Sequence, residues 1–169
     1  MQYRVTYGNT FKAIRAFILM TLCCIVIVIY LGKKSGFTYR LINFWVIGYL
    51  ITAIPNCFLH FQYYYYNHKT MLDILPEEAK LIYIDKAGKS EAVEFSEINK
   101  VIVFMPPSMY IGNKFPLLPF EDYHYAKIYT SLGKEIVITS LMTPKVEDVM
   151  RAITGVTIER EKKYFASIS

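Results

Sequence analysis

Few residues in this chain are of types that could do chemistry. The densest mixture is "FEDYHY", where Glu121, Asp122 and His124 fall within four positions. On a strand, alternate side chains share a face, which pairs Glu121 with Tyr123 and Asp122 with His124. A carboxylate beside an imidazole supplies two metal ligands. A closed zinc site takes four, and no second His or Cys cluster offers the rest. A solvated start to a strand accounts for the same residues. Cys23, Cys24 and Cys57 stand inside apolar runs without redox or metal spacing. The glycines from Gly32 to Gly36 and Gly88 are turn glycines, and no phosphate-cradling glycine loop ending in Lys and a hydroxyl residue occurs. The expectation is a non-enzymatic protein with no catalytic residue, cofactor or metal.

The elements that would position anything else are marked by charge and hydropathy. The chain has 169 residues, 54% of them hydrophobic and 16% aromatic, with 15 tyrosines and a formal charge of +5. Mean hydropathy is +0.27. The charge is divided unevenly. Arg4, Lys12, Arg15, Lys33, Lys34, Arg40 and Lys69 precede the first acidic residue, Asp73, while the remainder is slightly acidic. The basic balance therefore belongs to the flanks of apolar segments and does not point to nucleic acid.

"AFILMTLCCIVIVIYLG" (16–32) and "LINFWVIGYLITAIPNCFLHF" (41–61) carry no charge, and "KKSGFTYR" joins them. About 20 apolar helical residues cross roughly 30 Å of hydrocarbon. The expected element is a transmembrane helical hairpin, with spans at about 13–32 and 41–61. A cleaved signal peptide fits less well, because no small-x-small site follows and a second span comes at once. Within the second span, Pro55 predicts a kink, Asn43 and Asn56 predict hydrogen bonds to the first helix, and His60 lies near the interface. These polar groups read as packing contacts more readily than as an ion path, since no acid or base stands among them.

"HFQYYYYNHK" (60–69) follows. Tyrosine concentrates where a bilayer meets water. Tyr63, Tyr64, Tyr65 and Tyr66 are thus expected as an aromatic collar at the membrane interface, on a helix whose exit Asn67, His68 and Lys69 complete. A strand is the competing assignment, since tyrosine also favours strands. Counting cations favours hairpin ends in the cytoplasm by one residue, four against three.

Beyond the collar the period changes to two. "TMLDIL", "KLIYID", "SEAVEF", "KVIVFM", "YHYAKIYTS" and "EIVITSL" alternate, with turns at "PEEA", "KAGK", "SEIN" and "LGK". "TPKVEDVMRAITG" predicts a helix capped by Thr143 with Pro144 first, and Val146, Val149, Met150 and Ile153 on one face. "IEREKKYFASIS" reads as a solvated helix extension or disorder.

The hairpin, the run from Ile82 to Phe104 and the pair 135–153 resemble the small bacterial two-span membrane proteins that carry a pleckstrin-homology-like (PH-like) domain. The implied fold class is an α+β membrane protein. It has an N-terminal helical hairpin, then an antiparallel β sandwich or barrel closed by a C-terminal helix. The expected organisation is a tail and hairpin over 1–69, a β domain over 70–155 with an insertion at 105–123, and a charged tail over 156–169. The resemblance implies a cytoplasmic-membrane location with the β domain on the cytoplasmic face. Specific phosphoinositide binding is not expected, because "PEEAK" and "DKAGK" offer mixed charge where such domains cluster cations.

"MPPSMYIGNKFPLLPFEDY" (105–123) breaks the strand rhythm with four prolines, yet it is apolar. It reads as a lid on the sheet, a membrane-dipping loop or a partner-binding site. Tyr110, Phe115, Leu117, Leu118 and Phe120 are the candidate partner contacts. The expected function is a membrane-anchored protein-interaction or self-assembly module. The alternatives are an accessory or immunity-type membrane protein, and a subunit of a membrane enzyme or transporter.

Overall fold

The protein is described by a computed structural model over residues 1–36, 38–112 and 118–168. In chain order the regular elements are β1 (Gln2–Arg4), α1 (Tyr7–Ser35), α2 (Tyr39–Asn67), β2 (Met71–Leu75), β3 (Lys80–Ile84), β4 (Ser90–Glu94), β5 (Ile98–Met105), α3 (Pro107–Tyr110), β6 (Tyr125–Thr130), β7 (Glu135–Thr139), α4 (Val146–Met150) and β8 (Ile158–Lys162). They build two four-stranded sheets, ordered β1-β2-β3-β4 and β7-β6-β5-β8. The pairings are antiparallel apart from β5 with β8, which is parallel.

The alternation that marks the strands also makes the core. Leu72 and Ile74 of β2, Leu81 of β3 and Val93 of β4 face Val101 and Val103 of β5, Ile128 of β6, and Ile136 and Ile138 of β7. Val146, Val149, Met150 and Ile153 pack on the same core. The predicted helical face is therefore the buried one, although α4 spans only five residues. Thr143 does not cap it. Its Oγ1 accepts the Lys145 N–H at 3.3 Å in a local turn, and Lys145 is the capping residue. The sheets form an open sandwich and not a closed barrel.

Three assignments are corrected by non-local pairing. Residues 2–4 are not a tail: β1 pairs with β2, with Tyr3 opposite Leu72. The helices are consequently an insertion in the first connection of the sheet, so the hairpin and β domain do not separate at residue 69. The segment after 156 is neither a helix extension nor disordered as far as Ile168. It supplies β8 and then packs against α2, where Ala166 is 2% exposed and Ile168 6%. An edge strand bonds its backbone on one side only, so charged side chains can occupy its length.

α1 and α2 turn back on each other after Gly36, whose φ of 75° is a backbone position that favours glycine. Thr6 and Thr38 cap them, accepting the N–H groups of Asn9 (3.2 Å) and Leu41 (3.4 Å). Each has 29 residues, about 43 Å of helix. Both are long and apolar enough to cross a membrane. Among the described residues, the hydrogen bonds placed between them join Thr21 Oγ1 to Tyr49 Oη at 3.1 Å and Thr52 Oγ1 to Met20 Sδ at 3.5 Å, not the asparagines. Asn56 faces packed protein at 1% exposure, and α2 continues through Pro55 to Asn67.

α4 is tied to β8 by Glu147, whose Oε1 accepts Arg151 Nη2 at 2.6 Å and Arg160 Nε at 3.0 Å. Burial pushes the Glu147 carboxyl up, but the hydrogen bonds and charges of Arg160 and Arg151 outweigh it and hold the group below the usual glutamate value. A carboxylate depressed in the folded state contributes stability above its unfolded value and loses it as pH falls through the folded one. Glu147→Gln is expected to lower the melting temperature by about 1–3 °C at pH 7, small because the arginines are exposed. The difference should vanish as the pH is taken down through 4 to 3. A melting-temperature gap that widens on acidification would sink this assignment.

Candidate functional site

The base of the helical pair is where the two halves of the chain meet. α2 buries Ala53, Asn56, Leu59, Tyr63 and Asn67, a stripe with helical spacing. Against it lie the turn Pro119–Asp122, strand β7 and the C-terminal segment. Tyr63 is fully buried, with ring centroids 5.3 Å from Tyr123 and 6.0 Å from Tyr125, both edge-on. Its hydroxyl donates to the Ala166 carbonyl at 2.7 Å. Tyr123 Oη lies 2.9 Å from His60 Nδ1, and Tyr125 stacks on Phe104 at 4.7 Å. Burial, with Asp122 adding to it, pushes the Tyr123 phenol well up; burial and Glu161 do the same to Tyr125. These phenols are hydrogen-bonding groups of the seam.

The collar is thereby divided. Tyr64, Tyr65 and Tyr66 are exposed at the helix end, while Tyr63 belongs to the protein interior and not to an interface with lipid. Tyr65 also carries Lys86, from the turn after β3, 3.8 Å above its ring.

The segment 105–123 packs in part against the helix base. Phe120 is half-buried and meets Phe165 edge-on at 6.3 Å, and Pro119 is buried. Tyr110, 42% exposed, and Leu118, 39% exposed, remain free on the surface. Phe115 and Leu117 lie outside the described residues. Phe165 also stacks on Phe58 of α2 at 5.9 Å, so the C-terminal segment climbs beside the second apolar run.

Two of the polar cavities at the helix base gather cations. One, of about 520 Å³, is lined by Arg4, Thr6, Thr10, Tyr64, His68 and Lys69 among others. Lys69 there has a φ of 66°, which a side-chain-bearing residue rarely adopts. The other, of about 180 Å³, lies between α1 and the start of β6 and gathers Lys12, Arg15, Asp122, His124 and Ser140. Asp122 and His124 do converge, as an alternating strand would have them, but on the end of a 3₁₀ turn. His124 Nδ1 lies 3.0 Å from the Asp122 carbonyl; burial lowers its basicity against the raising effect of that bond. Their neighbours in the cavity are two cations, which repel a metal.

In the sequence the cations at these cavities mark only the flanks of apolar runs, and the mixed charges of "PEEAK" and "DKAGK" lie instead at the turns after β2 and β3. Because the helices occupy the first connection, Arg4 and Lys69 stand at the base of the first pair of strands. Compared with known proteins, residues 2–147 match the family model described as PH domain, a range that includes β1, both helices and the strands through β7. No curated protein and no solved structure matches the chain.

Proposed function

The chain belongs to the PH domain family, and on that premise we propose that it is a non-catalytic interaction module held in the cytoplasmic membrane by its own inserted helices. Domains of this family mediate protein or lipid interactions, and fold alone does not choose between them. The observation that carries the reading is the exposure of the helices. Leu19, Leu22, Val26, Phe44, Ile47 and Ile51 are all about half exposed or more, in helices whose most apolar windows are 0% and 11% buried. An apolar surface of that extent is stable in lipid and not in water. The β domain faces the cytoplasm in this reading. Its free face at Tyr110 and Leu118, with Phe115, Leu117 and Phe120 beside them in sequence, binds a protein partner or a second copy.

The test is a carbonate wash of native membranes followed by purification in mild detergent. The protein is expected to stay with the washed membrane and to emerge with a stoichiometric partner or as a defined oligomer. Tyr110→Ala combined with Leu118→Ala is expected to weaken that association about fivefold or more without lowering the melting temperature. Release into the carbonate supernatant would refute the membrane reading, and an association indifferent to both substitutions would refute the partner surface.

A further inference from the structure

The smaller cavity at the helix base has features that packing does not explain. Lys12 and Arg15 are exposed cations on successive turns of α1, and neither forms an ion pair among the described residues. Asp122 is half-buried across from them and close enough to feel the Arg15 charge. Ser140 lines the same cavity at 4% exposure, and its hydroxyl has no hydrogen-bond partner. A buried hydroxyl without a partner carries an unreturned desolvation cost, and here that residue stands in the wall of the cavity.

Depth narrows the ligand. Arg15 directly precedes the uncharged run that starts at Ala16, and Lys12 lies about 4.5 Å further out at 1.5 Å per residue. The polar layer of a bilayer outside its hydrocarbon is about 5–8 Å deep on each side. Lys12 and Arg15 therefore stand at the level of lipid phosphates. We propose that this cavity is a phospholipid headgroup site, in which Lys12 and Arg15 hold the phosphate oxygens and the Asp122 carboxylate receives a primary ammonium beyond them. The ligand class is a zwitterionic headgroup of the phosphoethanolamine type. Two cations and one carboxylate in a single small cavity complement a group that carries both signs, whereas a purely anionic headgroup leaves Asp122 facing its own sign of charge. The site rests on the membrane reading above.

The full-length protein, stripped of lipid in mild detergent, is titrated with phosphatidylethanolamine, with phosphatidylglycerol of the same acyl chains, and with free O-phosphoethanolamine. Bound molecules are counted by native mass spectrometry. Phosphatidylethanolamine is expected to bind about tenfold more tightly than either of the others. The Lys12→Gln, Arg15→Gln double variant should lose roughly 10- to 100-fold of that affinity, the range of hydrogen bonds to charged groups. Asp122→Asn should bring phosphatidylethanolamine down to the level of phosphatidylglycerol. Because Lys12 and Arg15 are exposed, their variants are expected to keep the wild-type melting temperature. Equal wild-type binding of the two lipids, equally tight binding of the free compound, or lipid binding that ignores the substitutions would each overturn the site. Failure here in a protein that stays with carbonate-washed membranes refutes this site alone. Release into the wash refutes the membrane reading beneath it.

Discussion

Replacing Tyr63 with alanine is expected to destabilise the protein by about 3–5 kcal/mol, the range for deleting a buried aromatic side chain, while the same change at Tyr65 costs less than about 1 kcal/mol. The two residues are neighbours in a run of four identical side chains, yet Tyr63 is fully buried and Tyr65 is 67% exposed. Tyr63→Ala removes the edge-on contacts to Tyr123 and Tyr125 and leaves the Ala166 carbonyl without its donor. For a domain of this size the loss corresponds to a fall in melting temperature of roughly 6–20 °C. Tyr63→Phe keeps the ring and loses only the hydrogen bond, so it should fall by about 1 kcal/mol. Tyr65→Ala loses an exposed cation–π contact to Lys86, worth about 0.5–1 kcal/mol. Thermal unfolding of the three variants in one detergent checks the order. Equal losses at positions 63 and 65 would mean that the run acts as a uniform collar and that the interior seam is wrongly placed.

Local chemistry was legible where neighbours in sequence are also neighbours in space. The alternation of "KLIYID" and "EIVITSL" marks β3 and β7, and the helical spacing of Val146, Val149, Met150 and Ile153 identifies the face that reaches the core. The turns fall at Gly88 and Gly133, both with positive φ. What stayed hidden depends on partners far along the chain. β1 has three residues, too few to show a period, and its partner strand is 66 residues away across the helices. β8 is written in charged residues because its strand character lies in the backbone ladder with β5, and a parallel partner leaves no hairpin turn to announce it. The division of the four tyrosines is set by which one meets Tyr123 and Tyr125, about 60 residues downstream. The candidate headgroup cavity combines a helix flank with residues beyond 120, so no single window of sequence contains it.

Ending the chain after Thr157 is expected to remove cooperative unfolding altogether, a larger effect than any substitution considered above. The deleted residues include β8, whose ladder with β5 runs from Val101 opposite Ile158 to Met105 opposite Lys162. β5 is otherwise bonded only to β6, so truncation turns an interior strand rich in Val and Ile into an exposed edge that can pair with other chains. The same deletion takes Ala166 from the Tyr63 hydroxyl and Ile168 from Gln62, which bonds its carbonyl and N–H at 2.9 and 3.0 Å. It also removes Phe165 from Phe58 and Arg160 from Glu147. Each loss alone is tolerable against a folding free energy of about 5–15 kcal/mol, but they fall together on β5 and on the buried stripe of α2. Limited proteolysis in detergent is the direct readout: the full chain should yield a resistant core, and the truncated chain should be cut throughout the strands from 98 to 130. The two apolar helices keep their own backbone bonds, so the truncated protein should still fractionate with membranes. Proteolytic resistance equal to that of the full chain would show instead that β8 and the tail only decorate a sandwich complete at residue 157. The membrane-retained, protease-sensitive product would separate the two tasks of the fold, with anchoring carried by α1 and α2 and the closing of the β sheet and of its seam with α2 dependent on residues 158–168.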